Sequence, residues 1–561
     1  MPMYTSKRNI LETVALLKAH GISRVVLSPG SRNAPLIQSF ICDSFFDCIS
    51  IIDERSAGYL ALGLALQDHQ PVVLCCTSGS ALLNYAPALA EAFYQHVPLI
   101  VLSADRQAAW IDQMDGQTLP QPGIFGPLVK QTVHLPEVQD DTTRWHCNRL
   151  INEAILTCQR PGKGPVHLNI PISEPLFDFS EPTLPVVRVM EEVITTHGQC
   201  PEALVNAWNK AQKRLVLVGQ HPTDSTLTSL LDTLATRFDC VILGEHLSNV
   251  DSKALIGNFD TLLAHLDTET TDHLRPDFLL TLGGHVISKR LKQWLRQQET
   301  LEHWAISSNE KVADSYQHLG QYIKAPANEV LAALAMQASH EAGHQYADHW
   351  NHLSRRLPAP TPSALPFSDL AVTGYFLHQL PTDAALLVGN SSPVRNIQYY
   401  PKPALKTVYC NRGTNGIEGS LSLATGLTLH ADTHLYALLG DLSFIHDLGS
   451  LWTAQELAQN LKILLINNGG GGIFHHLNGL ELSPTLLPYI AANHDRRLEH
   501  WVKAAGWDYL EASGHQSLAA VLPSFTDTTR SRPIVLEVFT DPASNKAAFD
   551  VYTSTLQTTL P

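Results

Sequence analysis

Residues 435–474 read LYALLGDLSFIHDLGSLWTAQELAQNLKILLINNGGGGIF. Two apolar runs, LYALLG and KILLIN, have the length of buried strands, and each stops abruptly in small or polar residues. The stretch between them, LGSLWTAQELAQNL, reads as a helix. A strand, a helix and a second strand in close succession form the unit of a parallel sheet covered by helices. Each run ends where such sheets bind ligands, just beyond the C-terminal end of the strand.

The same alternation extends outward through the chain. In the first third, strands are predicted at RVVLSPG, SIIDE, PVVLCCTSG, PLIVLSADR and PVHLNIPIS. A proline-rich stretch from Glu174 to Val187 reads as a linker. A second set follows, RLVLVGQ, CVILGEH, DFLLTLGG and HWAISS, and ends near Ala327. A helix and a proline-rich connector, Leu357 to Pro366, come next. The last third adds ALLVGNSS, KTVYCNRG, the two opening runs, DYLEASG and PIVLEVF. The expected fold class is α/β, with doubly wound parallel sheets. VVLSPGSRN and LLVGNSSPVRN share a strand, a small-residue turn and Arg-Asn, so the first and last thirds could repeat one fold.

A chain of 561 residues suggests three or four domains at the usual domain size. Its 44% hydrophobic and 16% charged residues fit an ordinary globular enzyme. The net charge of −15 repels nucleic acid and anionic membrane surfaces, so any anionic substrate needs a local cluster of Arg and Lys. The nine cysteines form no C-x-x-C pair, which weakens zinc and dithiol readings. The N-terminus reads as an amphipathic helix rather than a secretory signal, and scattered thiols fit a reducing, cytoplasmic compartment. The longest uncharged stretch, Pro71 to Ala90, is broken by polar residues and proline, so no integral membrane segment is expected.

The strand ends carry the chemistry. Asp441 supplies a hard carboxylate, Asn468 a side-chain carbonyl and Gly470 a backbone carbonyl, oxygen ligands that suit magnesium completed by phosphate oxygens. Small residues around Asp441 let backbone N–H groups approach a diphosphate. Gly, Asn and Asp also make ordinary turns, and either segment alone would read that way. Glu54, in IIDERSAGYLALGLA, follows an apolar run and precedes a small-residue helix. By itself it reads as an acidic residue at a helix start.

The 27-residue separation of Asp441 and Asn468 resembles the signature of thiamine-diphosphate enzymes, which begins Gly-Asp and closes Asn-Asn. SPGSRNAPL, IDERSAGY, TSGSALLNYAPALAEA, LSADR, SKRL, GNSSPVR, NRGTNGIEGSLS, GDLSF and INNGGGGIF then occur in the order of one branch. That branch comprises the menaquinone-pathway synthases that join 2-oxoglutarate to isochorismate, and the resemblance runs from about Ser28 to Phe474. It implies three domains: pyrimidine-binding at 1–180, central α/β at 190–355, and diphosphate- and magnesium-binding at 366–561.

It also implies roles, residue by residue. Glu54 resembles the glutamate that activates the cofactor through its aminopyrimidine ring. Asp441, Asn468 and Gly470 look like the magnesium set, which manganese can also occupy. Ile417 looks like the apolar wedge that bends the cofactor. Ser78, Gly79, Ser391, Gly440, Leu442, Ser443, Ile473 and Phe474 fall in its cofactor-binding segments. Ser391, Arg395 and Arg412 correspond to the succinyl-receiving set, and Arg32, Arg106, Gln117, Lys289 and Arg290 to the isochorismate-facing set. Both substrates are dicarboxylates, which arginine binds through bidentate, charge-assisted bonds. A homodimer or homotetramer is implied as well.

Two features depart from the pattern. Gly116 stands where the branch usually has Asn, and the four glycines of NNGGGG predict a mobile loop unless cofactor orders it. HEAGH at His340 to His344 fits a zinc-protease pattern, but its internal Gly and missing continuation argue against that reading. His475 and His476 beside the glycine loop are read as helix-start or surface residues. The enzymatic alternative is another thiamine-dependent 2-oxoacid decarboxylase or an acetolactate-type synthase. The alternative from another class is a binding protein on a decayed fold.

Overall fold

The structure, a computed structural model, describes residues 3–193, 200–309, 311–339, 343–431, 433–476, 485–530 and 532–559. Three parallel six-stranded sheets make up its framework, the α/β class read from the sequence. Across the first sheet the strands run Asp47–Ser50, Arg24–Leu27, Val72–Cys76, Leu99–Asp105, Val166–Pro171 and Gln131–His134. Across the second they run Leu319–Ile323, Glu302–Ile306, Phe278–Leu282, Arg214–Val218, Cys240–Gly244 and Leu255–Ile256. Across the third they run Thr407–Tyr409, Ala385–Val388, Leu435–Gly440, Leu461–Asn467, Ile534–Phe539 and Asp508–Ala512.

The first and third sheets share one strand order. In both, the earliest strand in sequence lies between the second and third, and the sixth separates the fourth from the fifth. The likeness of VVLSPGSRN and LLVGNSSPVRN is therefore positional: each leaves the earliest strand of its sheet and enters a helix, Ala34–Ile41 or Ser392–Asn396.

Four strand expectations need correction. Gln131–His134, Leu255–Ile256 and Leu319–Ile323 were not expected; all three are edge strands, half in contact with solvent, and lack a clean apolar run. The strand expected at SIIDE is Asp47–Ser50 instead. Ile51 is buried and Ile52 is 84% exposed, and the chain then turns into a helix capped by the Asp53 carboxylate.

The chain packs as two compact units. One comprises Met1–Ile194, Asn411–Asp432 and Ser443–Gln459; the other comprises Thr195–Cys410, Thr433–Leu442 and Asn460–Pro561. In the first unit, helix Glu54–Asp68 is buried continuously from Ser56 to Ala65, as expected of a helix with small and apolar residues on every face. Helix Ser420–Thr428 crosses it with backbones almost touching: a methyl group at Gly426 would lie 2.1 Å from the Leu60 carbonyl oxygen. In the second unit, the sheet of residues 214–323 is covered on both faces. Trp208, Leu231 and Leu334 pack on one side and Phe259, Trp294 and Trp350 on the other. Leu386, Leu438, Leu464 and Leu536 carry the core of the remaining sheet.

Candidate active site

Predicted site residues lie just beyond the ends of the first four strands, in sequence order, of both the first and the third sheet. In the first sheet these are Arg32, Glu54, Ser78 with Gly79, and Arg106; in the third they are Ser391 with Arg395, Arg412, Asp441 and Asn468. Parallel strands direct all their C-terminal ends to one edge of the sheet, so residues far apart in sequence share that edge.

In the second unit, strand Leu435–Gly440 runs straight into the helix that begins at Asp441. Asp441 is 2% exposed. Its carboxylate accepts the Leu442 N–H at 2.6 Å and the Gly470 N–H at 2.9 Å, and His494 Nε2 lies 3.3 Å away. Burial, with the nearby Asp369 carboxylate, raises the Asp441 carboxyl above its ordinary range against the opposing pull of those donors and His494.

Asn468 is oriented from behind. Its Nδ2 donates to Asp369 Oδ2 at 2.8 Å, while Asp369 Oδ1 accepts the Thr540 hydroxyl at 2.6 Å and the Asp369 N–H donates to Asn545. That leaves Asn468 Oδ1 buried with no hydrogen bond among the described residues. A buried carbonyl oxygen without a donor costs stability unless something electropositive approaches it. A buried carboxylate, an orphaned amide oxygen and the nearby glycine loop fit a hard divalent cation completed by phosphate oxygens. Among the described residues no three His, Cys, Asp or Glu side chains are grouped to hold a metal, so the protein alone builds no closed cage there.

The glycine loop is packed against its surroundings. Gly469 and Gly470 have φ of +78° and +140°, conformations that a side chain would strain. Gly469 accepts the His494 N–H at 3.0 Å, Gly471 donates to Ala491 at 2.6 Å, and the Gly470 carbonyl accepts the Gly472 N–H at 2.9 Å. Ile473 and Phe474 follow in a short 3-10 turn, half-buried. The side chains of His475 and His476, and residues 340–342 of HEAGH, lie outside the described residues.

Ser391 adopts φ of +73°, rare for a side-chain-bearing residue, and its carbonyl accepts Arg395 Nη1 at 2.5 Å. Lys289 and Arg290 open helix Lys289–Arg296 and are exposed. Arg290 pairs with Asp260 at 2.6 Å. The Tyr399 hydroxyl feels Asp260, Arg290 and Arg395 together, so these two arginines share a neighbourhood. A separate cavity of about 350 Å³, lined by Glu245, His246, Tyr399, Lys402 and Tyr552, includes none of the predicted site residues in its wall.

In the first unit, Glu54 is the first residue of its helix, half-buried, with Asn84 Nδ2 at 3.4 Å from its carboxylate. Ser78 is buried. Gly79, at φ of +86°, donates its N–H to Gln121 and packs against the Gln117 backbone, where a methyl group would come within 3.3 Å. Arg32 is 6% exposed; its guanidinium donates to the Ile172 carbonyl and pairs with the Glu174 carboxylate, each at 3.0 Å. Arg106 donates to the Gly116 carbonyl and pairs with Asp115, each at 3.0 Å. At position 116 the backbone thus does the holding, and among the described residues, its two chain neighbours aside, no atom lies within 4 Å of where a side chain would begin. Gln117 is exposed at φ of +57°. Arg412 is buried, and the Ile417 carbonyl accepts the Ser443 hydroxyl at 2.6 Å.

Sequence reading missed the supports. Asp369 and His494 lay in no motif. Glu91, inside the quoted TSGSALLNYAPALAEA, carried no signal because its partners Gly413 and Thr414 are 322 and 323 residues away.

Comparison with known proteins covers most of the chain. Residues 12–124 match the model of the thiamine pyrophosphate enzyme N-terminal TPP binding domain. Residues 187–388 match the middle domain of thiamine pyrophosphate enzymes, and 388–538 the C-terminal TPP binding domain. A 2-succinyl-5-enolpyruvyl-6-hydroxy-3-cyclohexene-1-carboxylate synthase from Bacteroides thetaiotaomicron is 44% identical over 546 residues, covering 96% of this chain and 97% of its own. The protein of the same name from Phocaeicola vulgatus is 44% identical over 548 residues, covering 96% of each chain. The crystal structure of benzoylformate decarboxylase from Polynucleobacter necessarius superposes with a TM-score of 0.75, covering 96% of this chain and 99% of that one. At 17% identity it speaks for the fold alone.

Proposed function

The chain belongs to the thiamine-diphosphate enzymes and, within them, to the 2-succinyl-5-enolpyruvyl-6-hydroxy-3-cyclohexene-1-carboxylate synthase family, and from that premise we propose how its residues divide the work. It is a transferase of menaquinone biosynthesis. Decarboxylation of 2-oxoglutarate leaves a four-carbon succinyl unit, whose former carbonyl carbon forms a new bond to isochorismate. The near full-length likeness to synthases at 44% identity carries this reading.

Bound thiamine diphosphate supplies an electron sink that lets a 2-oxoacid lose carbon dioxide and keep the electron pair for the next bond. Glu54 holds the proton shared with the pyrimidine ring, and Ile417 supplies the apolar support beneath the cofactor. Ser78, Gly79, Gly440, Leu442, Ser443, Ile473 and Phe474 line it. Asp441, Asn468 and the Gly470 carbonyl hold magnesium, or manganese in its place; the orphaned Asn468 Oδ1 supports this assignment. The domains are 1–180, 190–355 and 366–561.

Ser391, Arg395 and Arg412 take the succinyl carboxylate. Arg32, Arg106, Gln117, Lys289 and Arg290 face isochorismate. Arg32 and Arg290 already pair with protein carboxylates, and the Glu174 partner of Arg32 is 66% exposed, so a substrate carboxylate can take its place.

Assembly as a homodimer or homotetramer is part of the proposal. Ile52 and Leu83, 84% and 45% exposed, are near neighbours in sequence of Glu54 and its partner Asn84, an apolar setting suited to cover by a second subunit. None of the described helices is long and apolar enough to cross a membrane. The enzyme's proposed location is the cytoplasm.

Product analysis tests the function. With thiamine diphosphate and magnesium, 2-oxoglutarate and isochorismate should yield carbon dioxide and the cyclohexene carboxylate in equal amounts. Preference for pyruvate, with acetolactate as product, would overturn it.

A further inference from the structure

The segment Asn411–Gly419, which carries Arg412 and Ile417, contains no regular secondary structure, yet it is gripped at both ends within the first unit. Glu91, on helix Ala86–Gln95, has no exposed surface. One carboxylate oxygen accepts the Gly413 N–H at 2.7 Å and the Gln95 side-chain amide at 2.5 Å. The other accepts the Thr414 N–H and the Thr414 hydroxyl, each at 2.7 Å. Four donors converge on a group that, when ionised, can only accept, so its hydrogen-bonding capacity is fully used. The approach is close: a methyl group at Gly413 would lie 2.7 Å from the Glu91 carbonyl oxygen.

At the far end, Tyr59 donates its hydroxyl to Glu418 at 3.2 Å, and its ring fills the space above Gly419, where a methyl group would come within 2.1 Å. Tyr59 stands on the helix that begins with Glu54.

We propose that Glu91, with Tyr59, is a positioning residue: it fixes the 411–419 segment so that Arg412 and Ile417 are held ready for substrate and cofactor. The proposal rests on the roles assigned above to those two residues. Glu91 touches neither substrate nor cofactor and acts through the residue directly before Gly413. Its loss should misplace the Arg412 guanidinium while leaving the diphosphate site intact. An amide in its place sets an NH2 group against backbone N–H donors and cannot satisfy all four.

The test is a double-mutant cycle on the enzyme loaded with thiamine diphosphate and magnesium, read as KM for 2-oxoglutarate, kcat and thermal midpoint. Glu91→Gln should raise KM on the order of tenfold or more, as a misplaced binding group does. Made on top of Arg412→Ala, it should change KM by no more than about twofold, because the group it positions is already gone. Thr414→Val removes a single donor and keeps the backbone bonds. It should raise KM less, in the same direction, and it decides the matter if Glu91→Gln does not fold. Folded variants with wild-type KM, or effects that multiply in the double variant, overturn the clamp while Arg412→Ala still raises KM. If Arg412→Ala alone leaves KM unchanged, the substrate assignment falls, and the positioning role with it.

Discussion

The amide of Asn468 has two ends in different surroundings, and that asymmetry is what a metal ligand requires. Asp369 holds Nδ2, so Oδ1 is presented rather than free to flip. Asp369→Ala should therefore leave the fold in place but raise the magnesium concentration for half-maximal thiamine diphosphate binding by about 10- to 100-fold. Titration of cofactor binding against magnesium checks this, and an unchanged midpoint would mean that Asp369 does not orient the ligand. Glu54→Gln should keep the cofactor bound and slow exchange of its thiazolium C2 proton on the order of a hundredfold, as loss of a general acid–base partner does. Proton exchange followed by NMR distinguishes that from a binding defect. Glu54, Asp441 and Asn468 were legible in the sequence because each lies in a local string at a strand end. Asp369 was not, since its partner is 99 residues away and no local pattern encodes that distance.

Helices Glu54–Asp68 and Ser420–Thr428 show the same contrast one level up. Their small residues were visible as a composition, but the crossing was not, because the two helices are separated by most of the chain. Gly63 and Gly426 meet at the crossing, where methyl groups would lie 2.4 Å from the Leu423 carbonyl oxygen and 2.1 Å from that of Leu60. Backbone cannot yield as a side-chain tip can, so Gly426→Ala must push the helices apart, at a cost of about 1–3 kcal/mol. A fall in the thermal midpoint without loss of secondary structure is the expected result; an unchanged midpoint would mean that the crossing relaxes freely. Among strands, the buried central runs were read correctly because burial on both faces demands continuous apolar sequence. The three missed strands are edges that escape that demand, and the misplaced Asp47–Ser50 is an edge too. The shared strand order of the first and third sheets was hinted at by two turns and could be established only by tracing which strands are neighbours.

At the scale of the whole molecule, buried titratable groups set opposing limits on stability. Burial lowers His167 to about 3 and His246 and His303 to about 4, so the folded chain resists protonation that the unfolded chain accepts from about pH 6.5 downward. Their contribution is complete above that value and is lost on acidification. Burial raises Asp447 to about 6 and Glu245 to about 7, so their contribution has the reverse sign, full below their unfolded values and lost as pH rises through 6 to 7. Among these five groups the three imidazoles outweigh the two carboxyls between about pH 5 and 7, so their net effect should raise the thermal midpoint with pH across that range. In Glu245→Gln that rise should steepen, because a carboxyl that opposes it is gone; a slope equal to wild type would mean that Glu245 ionises normally. The assembly makes a different demand. If the pyrimidine half of one subunit works with the diphosphate half of another, Glu54→Gln and Asp441→Ala chains damage different halves of each site. Random mixing makes half the dimers heterodimers, each with one site that is wild type at both positions, so about a quarter of the sites recover. Co-refolded variants should show that fraction of wild-type activity although each is inactive alone. A site built within one chain would recover nothing, because every chain carries a lesion. Sedimentation of the mixture must show dimers or larger, since a monomer cannot exchange halves.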